Sequence, residues 1–171
     1  TYSLNLGIAL AYPESRILVL APTKPLTNQN CQVFKKFMAL DEELFQVITG
    51  IIHPGGRKKL YETKRLLFAT PQTIHNDIKS DIISLKDFSL LITDEAHHSI
   101  GGYSYPFVAK KYLEEAEHPR ILALTASPGA TKEKIEEIYK SLGLEAIEIK
   151  TEKDEDVRPY VQEKHIEWVT V

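Results

Sequence analysis

A mostly parallel, doubly wound α/β fold is predicted for this sequence by three observations. Short runs rich in Leu, Ile and Val recur along the chain, as strands buried on both faces require. Segments of about 10–15 residues with helical apolar spacing separate them, the pattern of right-handed βαβ units. Several of the runs end abruptly in polar or acidic residues. A parallel sheet gathers such ends along its carboxyl edge, where open α/β sheets bind ligands.

Taken in order, residues 2–12 carry small and apolar side chains on a helical pattern that stops at Pro13. Residues 16–21 read as a buried strand. Lys24 to Leu40 reads as a helix with Val33, Phe34, Phe37 and Leu40 on one face. Residues 45–49 read as a strand ending at Gly50. A loop containing Pro54, Gly55 and Gly56 is expected next, then a short basic helix from Arg57 to about Glu62. Residues 65–69 read as the third strand, and Pro71 stands where the first turn of a helix tolerates proline. Residues 88–93 form the fourth strand, Gly101 and Gly102 a turn, and Tyr105 to Glu117 a helix with Pro106 in its first turn. Residues 120–125 read as the fifth strand. Thr131 is expected to cap a helix running to Leu142 and closed by Gly143, with a further strand over 144–149. Residues 1–150 are thus expected to form one domain. Residues 151–171 read as a charged linker and an added strand around Trp168 that leads towards another domain.

Composition narrows the class. The 171 residues suffice for a core of ordinary size, and 43% hydrophobic with 26% charged residues is the balance of a globular protein in water. The single cysteine, Cys31, excludes an internal disulfide and a zinc knuckle, and points to a reducing, intracellular compartment. No apolar run approaches the roughly 18 residues of a membrane span, and the start of the chain is not a signal peptide. The net charge of −3 gives no general affinity for nucleic acid. Local basic clusters (Lys35-Lys36, Arg57-Lys58-Lys59, Lys64-Arg65) are either solvated helix faces or contact points.

The chain is organised around Leu90-Leu91-Ile92-Thr93-Asp94-Glu95-Ala96-His97. An apolar strand that delivers two adjacent carboxylates to the sheet edge can divide the labour of nucleotide hydrolysis. Asp94 would hold Mg²⁺, mainly through its waters, and Glu95 would orient and polarise the attacking water. The bland alternative is a strand followed by an acidic turn. Other strand ends carry Ala21-Pro22-Thr23-Lys24-Pro25-Leu26, Ala69-Thr70-Pro71-Gln72-Thr73 and Thr125-Ala126-Ser127-Pro128-Gly129. Thr70 and Thr73, with the helix start that follows them, make an anion site suited to a nucleic-acid phosphate. Pro22, Thr23 and Lys24 can do the same, with a cation added. Ordinary helix caps would use the same residue types. The six histidines lack metal-ligand spacing, and His53, His75, His118 and His165 are expected at the surface.

In this order and at these strand ends, the set resembles the first, RecA-like motor domain of a superfamily 2 DEAH-box helicase, over essentially the whole chain. Asp94-Glu95-Ala96-His97-His98, followed by Gly102-Tyr103-Ser104-Tyr105 and then by Thr125-Ala126-Ser127-Pro128-Gly129, is similar to archaeal Hef and its Fanconi-anaemia M-type relatives. Asp156-Val157-Arg158-Pro159-Tyr160-Val161 also fits that group, whereas His98 stands where it has Arg or Lys. The resemblance implies ATP and Mg²⁺ as cofactors and forked or branched DNA as the partner. RNA stays open, because antiviral RNA sensors and the Dicer helicase share the core motifs. It also implies coupling roles for His97, Thr125 and Ser127, which relay the state of the γ-phosphate to a second motor domain. Gly50 falls at a position where backbone approaches the nucleic-acid strand closely.

No Gly-x-x-x-x-Gly-Lys-Ser/Thr run occurs in the sequence. Thr1, followed by a helix and a strand, is where such a chain stands just after its Gly-Lys. Thr1 is therefore expected to be the last, ATP-contacting residue of a phosphate loop, in a P-loop NTPase fold lacking the preceding strand; the alternative is an ordinary chain start. Little or no ATP hydrolysis is expected from these residues alone. A binding or scaffold module that keeps the groove without the engine is the competing reading.

Overall fold

The computed structural model of the protein describes residues 16–126 and 132–146. Its centre is a five-stranded, all-parallel sheet in the order β2-β3-β1-β4-β5. The strands are β1 (Arg16–Leu20), β2 (Phe45–Ile48), β3 (Leu66–Ala69), β4 (Phe88–Thr93) and β5 (Ile121–Ala123). The helices are α1 (Lys24–Phe37), α2 (Pro54–Thr63), α3 (Pro71–Lys79), α4 (Ser104–Glu115) and α5 (Lys132–Leu142).

Alternate residues of each strand feed two separate cores. On one face, Ile17 and Val19 of β1 and Leu66 and Phe68 of β3 meet Cys31 and Phe34 of α1, with the Phe34 ring edge-on to Phe68 at 5.3 Å. On the other face, Leu18, Leu20 and Leu91 pack on Ile74 of α3, Val108 and Tyr112 of α4, and Leu142 of α5. Both faces are covered, so the central strands are apolar throughout rather than alternating. Burial raises the Cys31 thiol pKa, which makes it an inert packing group.

The structure shifts several expected boundaries. Helix α1 ends at Phe37, before Leu40, and its buried face carries Thr27, Cys31 and Phe34, while Val33 and Phe37 are exposed. Helix α2 begins at Pro54 and absorbs Gly55 and Gly56, because His53 caps it: its Nδ1 accepts from the Gly55 N–H at 3.2 Å. Helix α4 begins at Ser104 and stops at Glu115. Strand β5 is shorter than its apolar run, and residues 144–146 form no strand. Gly143, at φ 64°, closes α5 as expected. The expected helix before Pro13, the strand beyond residue 146 and the segment 151–171 lie outside the described residues.

Because all five strands run the same way, the segments after β1, β2, β3, β4 and β5 lie along one edge. The chain also reverses its winding beside β1, moving outward to β2 and β3 and then across to β4. Crevices form at such a reversal.

Candidate functional site

Strand β4 delivers Asp94 and Glu95 to that edge, and neighbouring backbone fixes them there. The Asp94 N–H donates to the Leu20 carbonyl of β1 at 2.8 Å, and the Ala96 N–H donates to the Leu124 carbonyl beyond β5, also at 2.8 Å. Held at both ends, Glu95 takes a left-handed conformation with φ 50°, costing on the order of 1–3 kcal/mol for a residue with a side chain. That kink separates the two carboxylates. Asp94 Oδ2 accepts from Asn30 Nδ2 of α1 at 2.8 Å, and Oδ1 accepts from the Glu95 N–H at 3.0 Å. The Tyr105 hydroxyl of α4 donates to the Asp94 carbonyl at 2.7 Å. Burial, reinforced by Asp94 and Glu95, pushes the Tyr105 phenol pKa far up, so it remains a donor at any ordinary pH.

The donor set is compatible with Mg²⁺. A carboxylate offers about four lone-pair directions, and the two hydrogen bonds on Asp94 leave others for the ion or its waters. Among the described residues there is no cluster of three potential metal ligands. A single carboxylate suits a cation that keeps several waters and takes its remaining oxygens from phosphate.

After Glu95 the chain turns through a short 3₁₀ segment, Ala96–Ser99. His97 Nδ1 lies 3.0 Å from the Thr125 hydroxyl and 3.3 Å from Glu95 Oε2. One imidazole nitrogen therefore links the carboxylate after β4 to the loop after β5. The His98 ring packs on that of His97, with centroids 4.4 Å apart, and lines the cleft on the other side. Ser127 and Thr1 lie outside the described residues.

That cleft, of about 390 Å³, brings together Pro22, Thr23 and Lys24 from the start of α1 with Thr70, Pro71 and Gln72 from the start of α3. A narrower crevice joins Lys24 to Thr49, Thr70 and Thr73. The Thr23 hydroxyl does cap α1, accepting from the Leu26 N–H at a long 3.4 Å. The Thr70 hydroxyl does not cap α3; it pairs instead with Thr73 Oγ1 at 3.0 Å. Gly50 is exposed beside Thr49, and a Cβ there would meet no atom within 4 Å. The fold itself does not require a glycine at this position.

Two expectations are corrected here. Arg57 is not part of an exposed basic cluster but is buried against Asp77 of α3. Its Nε and Nη2 donate to both Asp77 oxygens at 2.7 and 2.6 Å, and Nη1 donates to the Ile52 carbonyl. The Tyr61 hydroxyl adds a third donor to Asp77 at 2.7 Å. The hydrogen-bonded carboxylate raises the Arg57 pKa further, so the guanidinium stays charged. It ties the loop after β2 to the helix that carries Thr70 and Thr73. His75, expected at the surface, is 4% exposed because Phe107 and Tyr103 cover its ring. Asn30, Tyr105, Asp77 and Arg57 were missing from the sequence-derived site. Asn30 and Asp77 gave no signal beyond a polar residue within a helix, while Arg57 stood in a basic cluster and Tyr105 in the run Gly102-Tyr103-Ser104-Tyr105.

A protein-family model described as type III restriction enzyme, res subunit, matches residues 3–130. The helicase MJ1505 of Methanocaldococcus jannaschii, whose name assigns it to RNA, is 43% identical over 152 residues, covering 89% of this chain and 19% of that protein. The ATP-dependent DNA helicase MPH1 of Coccidioides immitis is 38% identical over 157 residues, covering 92% of this chain and 14% of the relative. The Hef helicase domain of Pyrococcus furiosus superposes with a TM-score of 0.87 at 42% identity, over 96% of this chain and 35% of that one. The DUF1998 helicase MrfA bound to DNA, at 15% identity and a TM-score of 0.63, shares the fold alone. The chain thus spans less than a fifth of MPH1 and about a fifth of MJ1505. With its parallel sheet and helix-covered faces of the RecA-like type, the chain belongs to the helicase family described by the type III restriction enzyme res subunit, and is similar to the Hef and Mph1 helicases over most of its length.

Proposed function

We propose that this chain is the first motor domain of an ATP-dependent helicase or translocase that acts on forked or branched DNA. Residues 1–150 would form that domain, and 151–171 would lead towards a second motor domain of the same protein. The observation that carries the reading is the position of His97, which joins the Glu95 carboxylate to Thr125 within 3.3 Å at the edge that also holds the Thr23–Lys24 and Thr70–Thr73 clefts. A solvated acidic turn has no need of such a link.

In this reading Asp94, steadied by Asn30, would hold Mg²⁺ through its waters. Mg²⁺, when bound with ATP, supplies charge neutralisation at the phosphate oxygens. Glu95 orients and polarises the attacking water, and Thr1 contributes to the phosphate site. The contact between Glu95 and His97 makes the position of the imidazole depend on what Glu95 binds. Thr125 and Ser127 pass that state towards the second domain. Lys24, Gly50, Thr70, Gln72 and Thr73, with Pro22, Thr23 and Pro71 shaping the loops, hold successive phosphates of one strand. Phosphate contacts carry no base information, so the domain would track a strand rather than read it.

A second reading, an RNA-directed motor, has the support of the identity to MJ1505. The discriminating experiment is ATP hydrolysis by the full-length protein in the presence of forked DNA, duplex DNA or duplex RNA. The first reading predicts the largest stimulation by forked DNA, and greater stimulation by duplex RNA would transfer the assignment to RNA. Hydrolysis without response to any of them would remove the motor reading.

A further inference from the structure

Between the carboxylate turn and α4, the loop over residues 100–103 presents an aromatic side chain to solvent in the cleft that also holds Thr23, Lys24, Thr70 and Gln72. Tyr103 is 67% exposed, although it stands beside a buried aromatic cluster. Its inner side rests on His75, with centroids 4.9 Å apart, and on Phe107 at 5.8 Å; His75 itself stacks on Phe107 at 4.2 Å and 18°. The Lys79 ammonium lies 5.6 Å from the Tyr103 centroid. The ring is therefore packed against His75 and Phe107 with Lys79 over it, while most of the residue stays exposed.

Gly101 adopts φ 68°, and a Cβ on Gly102 would come within 2.5 Å of the His98 carbonyl oxygen, so the loop lies directly on the turn beneath it. Ser104 Oγ donates its hydrogen to Gln72 Oε1 at 2.8 Å and so accepts from His75 Nδ1 at 3.1 Å. That chain of bonds sets the His75 tautomer and ties the aromatic cluster to the first turn of α3. Burial, aided by Lys79, lowers the His75 pKa and keeps the imidazole neutral at neutral pH. Tyr103 lines the same cleft as Thr23, Lys24, Thr70, Gln72 and His98. Its volume of about 390 Å³ falls in the roughly 300–1,000 Å³ range of small-ligand sites. An exposed aromatic side chain beside phosphate-binding groups and a lysine is the arrangement by which proteins hold unpaired bases without reading their sequence.

We propose that Tyr103 is a stacking platform for an unpaired base of the strand whose phosphates lie on Thr23–Lys24 and Thr70–Thr73. The proposal rests on the nucleic-acid reading above and adds a preference for single-stranded over fully paired segments at this cleft. The hydroxyl of Tyr103 plays no part; the ring does.

The test is equilibrium binding of the full-length protein to a short oligothymidylate and to a strand of the same length carrying consecutive abasic sites, across a range of salt. Tyr103→Ala is expected to weaken binding to the intact strand about 10-fold, as loss of one base–aromatic stack does. Tyr103→Phe should bind like the wild type, and the abasic strand should bind the wild type as weakly as Tyr103→Ala binds either strand. The salt dependence should be unchanged in Tyr103→Ala and should fall by about one phosphate equivalent in Lys24→Ala. Equal affinity for intact and abasic strands in the wild type, or an equal loss on both strands in Tyr103→Ala, would overturn the stacking role. In that case a slope that still depends on Lys24 leaves the nucleic-acid reading in place, whereas absence of binding to either strand removes both.

Discussion

His97 Nδ1 stands 3.0 Å from the Thr125 hydroxyl and 3.3 Å from the Glu95 carboxylate. This single nitrogen adds a side-chain bridge to the backbone bonds between the acidic end of β4 and the loop after β5. On the opposite side His97 carries the ring of His98, which lines the cleft between the starts of α1 and α3. The pair of histidines thus spans the two halves of the site. His97→Ala should lower the factor by which DNA stimulates hydrolysis about 5-fold or more, within the usual range of coupling free energies, and leave basal hydrolysis less affected. Steady-state ATPase assays of the full-length protein with and without DNA measure that ratio; an unchanged ratio would remove His97 from the coupling path.

Asn30 donates to the Asp94 carboxylate, the group proposed to hold the metal. Removing its amide frees Asp94 Oδ2 to rotate. Asn30→Ala is expected to raise the Mg²⁺ concentration for half-maximal hydrolysis about 10-fold, the usual scale for residues that orient a metal ligand. A Mg²⁺ titration of the full-length protein reads it, and an unshifted midpoint with reduced turnover would assign Asn30 to packing alone.

The Arg57–Asp77 pair is buried, and its partners are unequal in number. Asp77→Ala leaves the Arg57 guanidinium without its carboxylate and should cost about 3–5 kcal/mol of stability. Tyr61→Phe removes one neutral donor, with Arg57 still in place, and should cost about 1 kcal/mol. Urea unfolding of the three proteins gives the order, and similar losses for both variants would contradict this account of the network.

His75 makes stability depend on pH. Burial depresses its pKa below the ordinary 6.5, so the unfolded chain binds a proton before the folded one does. Its contribution is complete above the unfolded value and is lost as pH falls below it, towards the depressed folded value. The melting temperature of the wild type should therefore fall more between pH 7 and roughly pH 5 than that of His75→Phe. A parallel decline in both proteins would show that His75 titrates alike in the two states.

Gly102 has no room for a side chain. Gly102→Ala would place a methyl group 2.5 Å from the His98 carbonyl oxygen and should cost about 1–3 kcal/mol. It would also displace Tyr103. Loss of single-strand affinity with retained Lys24-dependent salt sensitivity is the expected pair of outcomes, measured by binding and thermal unfolding together.

The sheet was legible in the sequence because its strands are continuous apolar runs that end in polar residues. The placement of Asp94, Glu95, Thr70 and Thr73 along one sheet edge was legible for the same reason, whereas His97 and Thr125 were singled out by the resemblance. Arg57 was misread because a buried ion pair is a contact between distant residues: Arg57 in an Arg-Lys-Lys run looks the same whether or not Asp77, twenty positions on, waits beneath it. His75 was misread similarly, as only the fold brings Phe107 over its ring. Helix α2 started early because the His53 side chain replaced a more usual cap, enough to offset two glycines. Asn30 carries no motif, and its role exists only because α1 crosses the carboxyl end of β4.

The most direct measurement is DNA-stimulated ATP hydrolysis by the full-length protein, wild type against Glu95→Gln. The substitution keeps the shape at φ 50° and removes the charge that polarises water. The account predicts turnover stimulated by forked DNA in the wild type, reduced about 100-fold or more in the variant, with DNA affinity retained. Hydrolysis that survives Glu95→Gln would contradict the assignment of the β4 carboxylates as the catalytic centre.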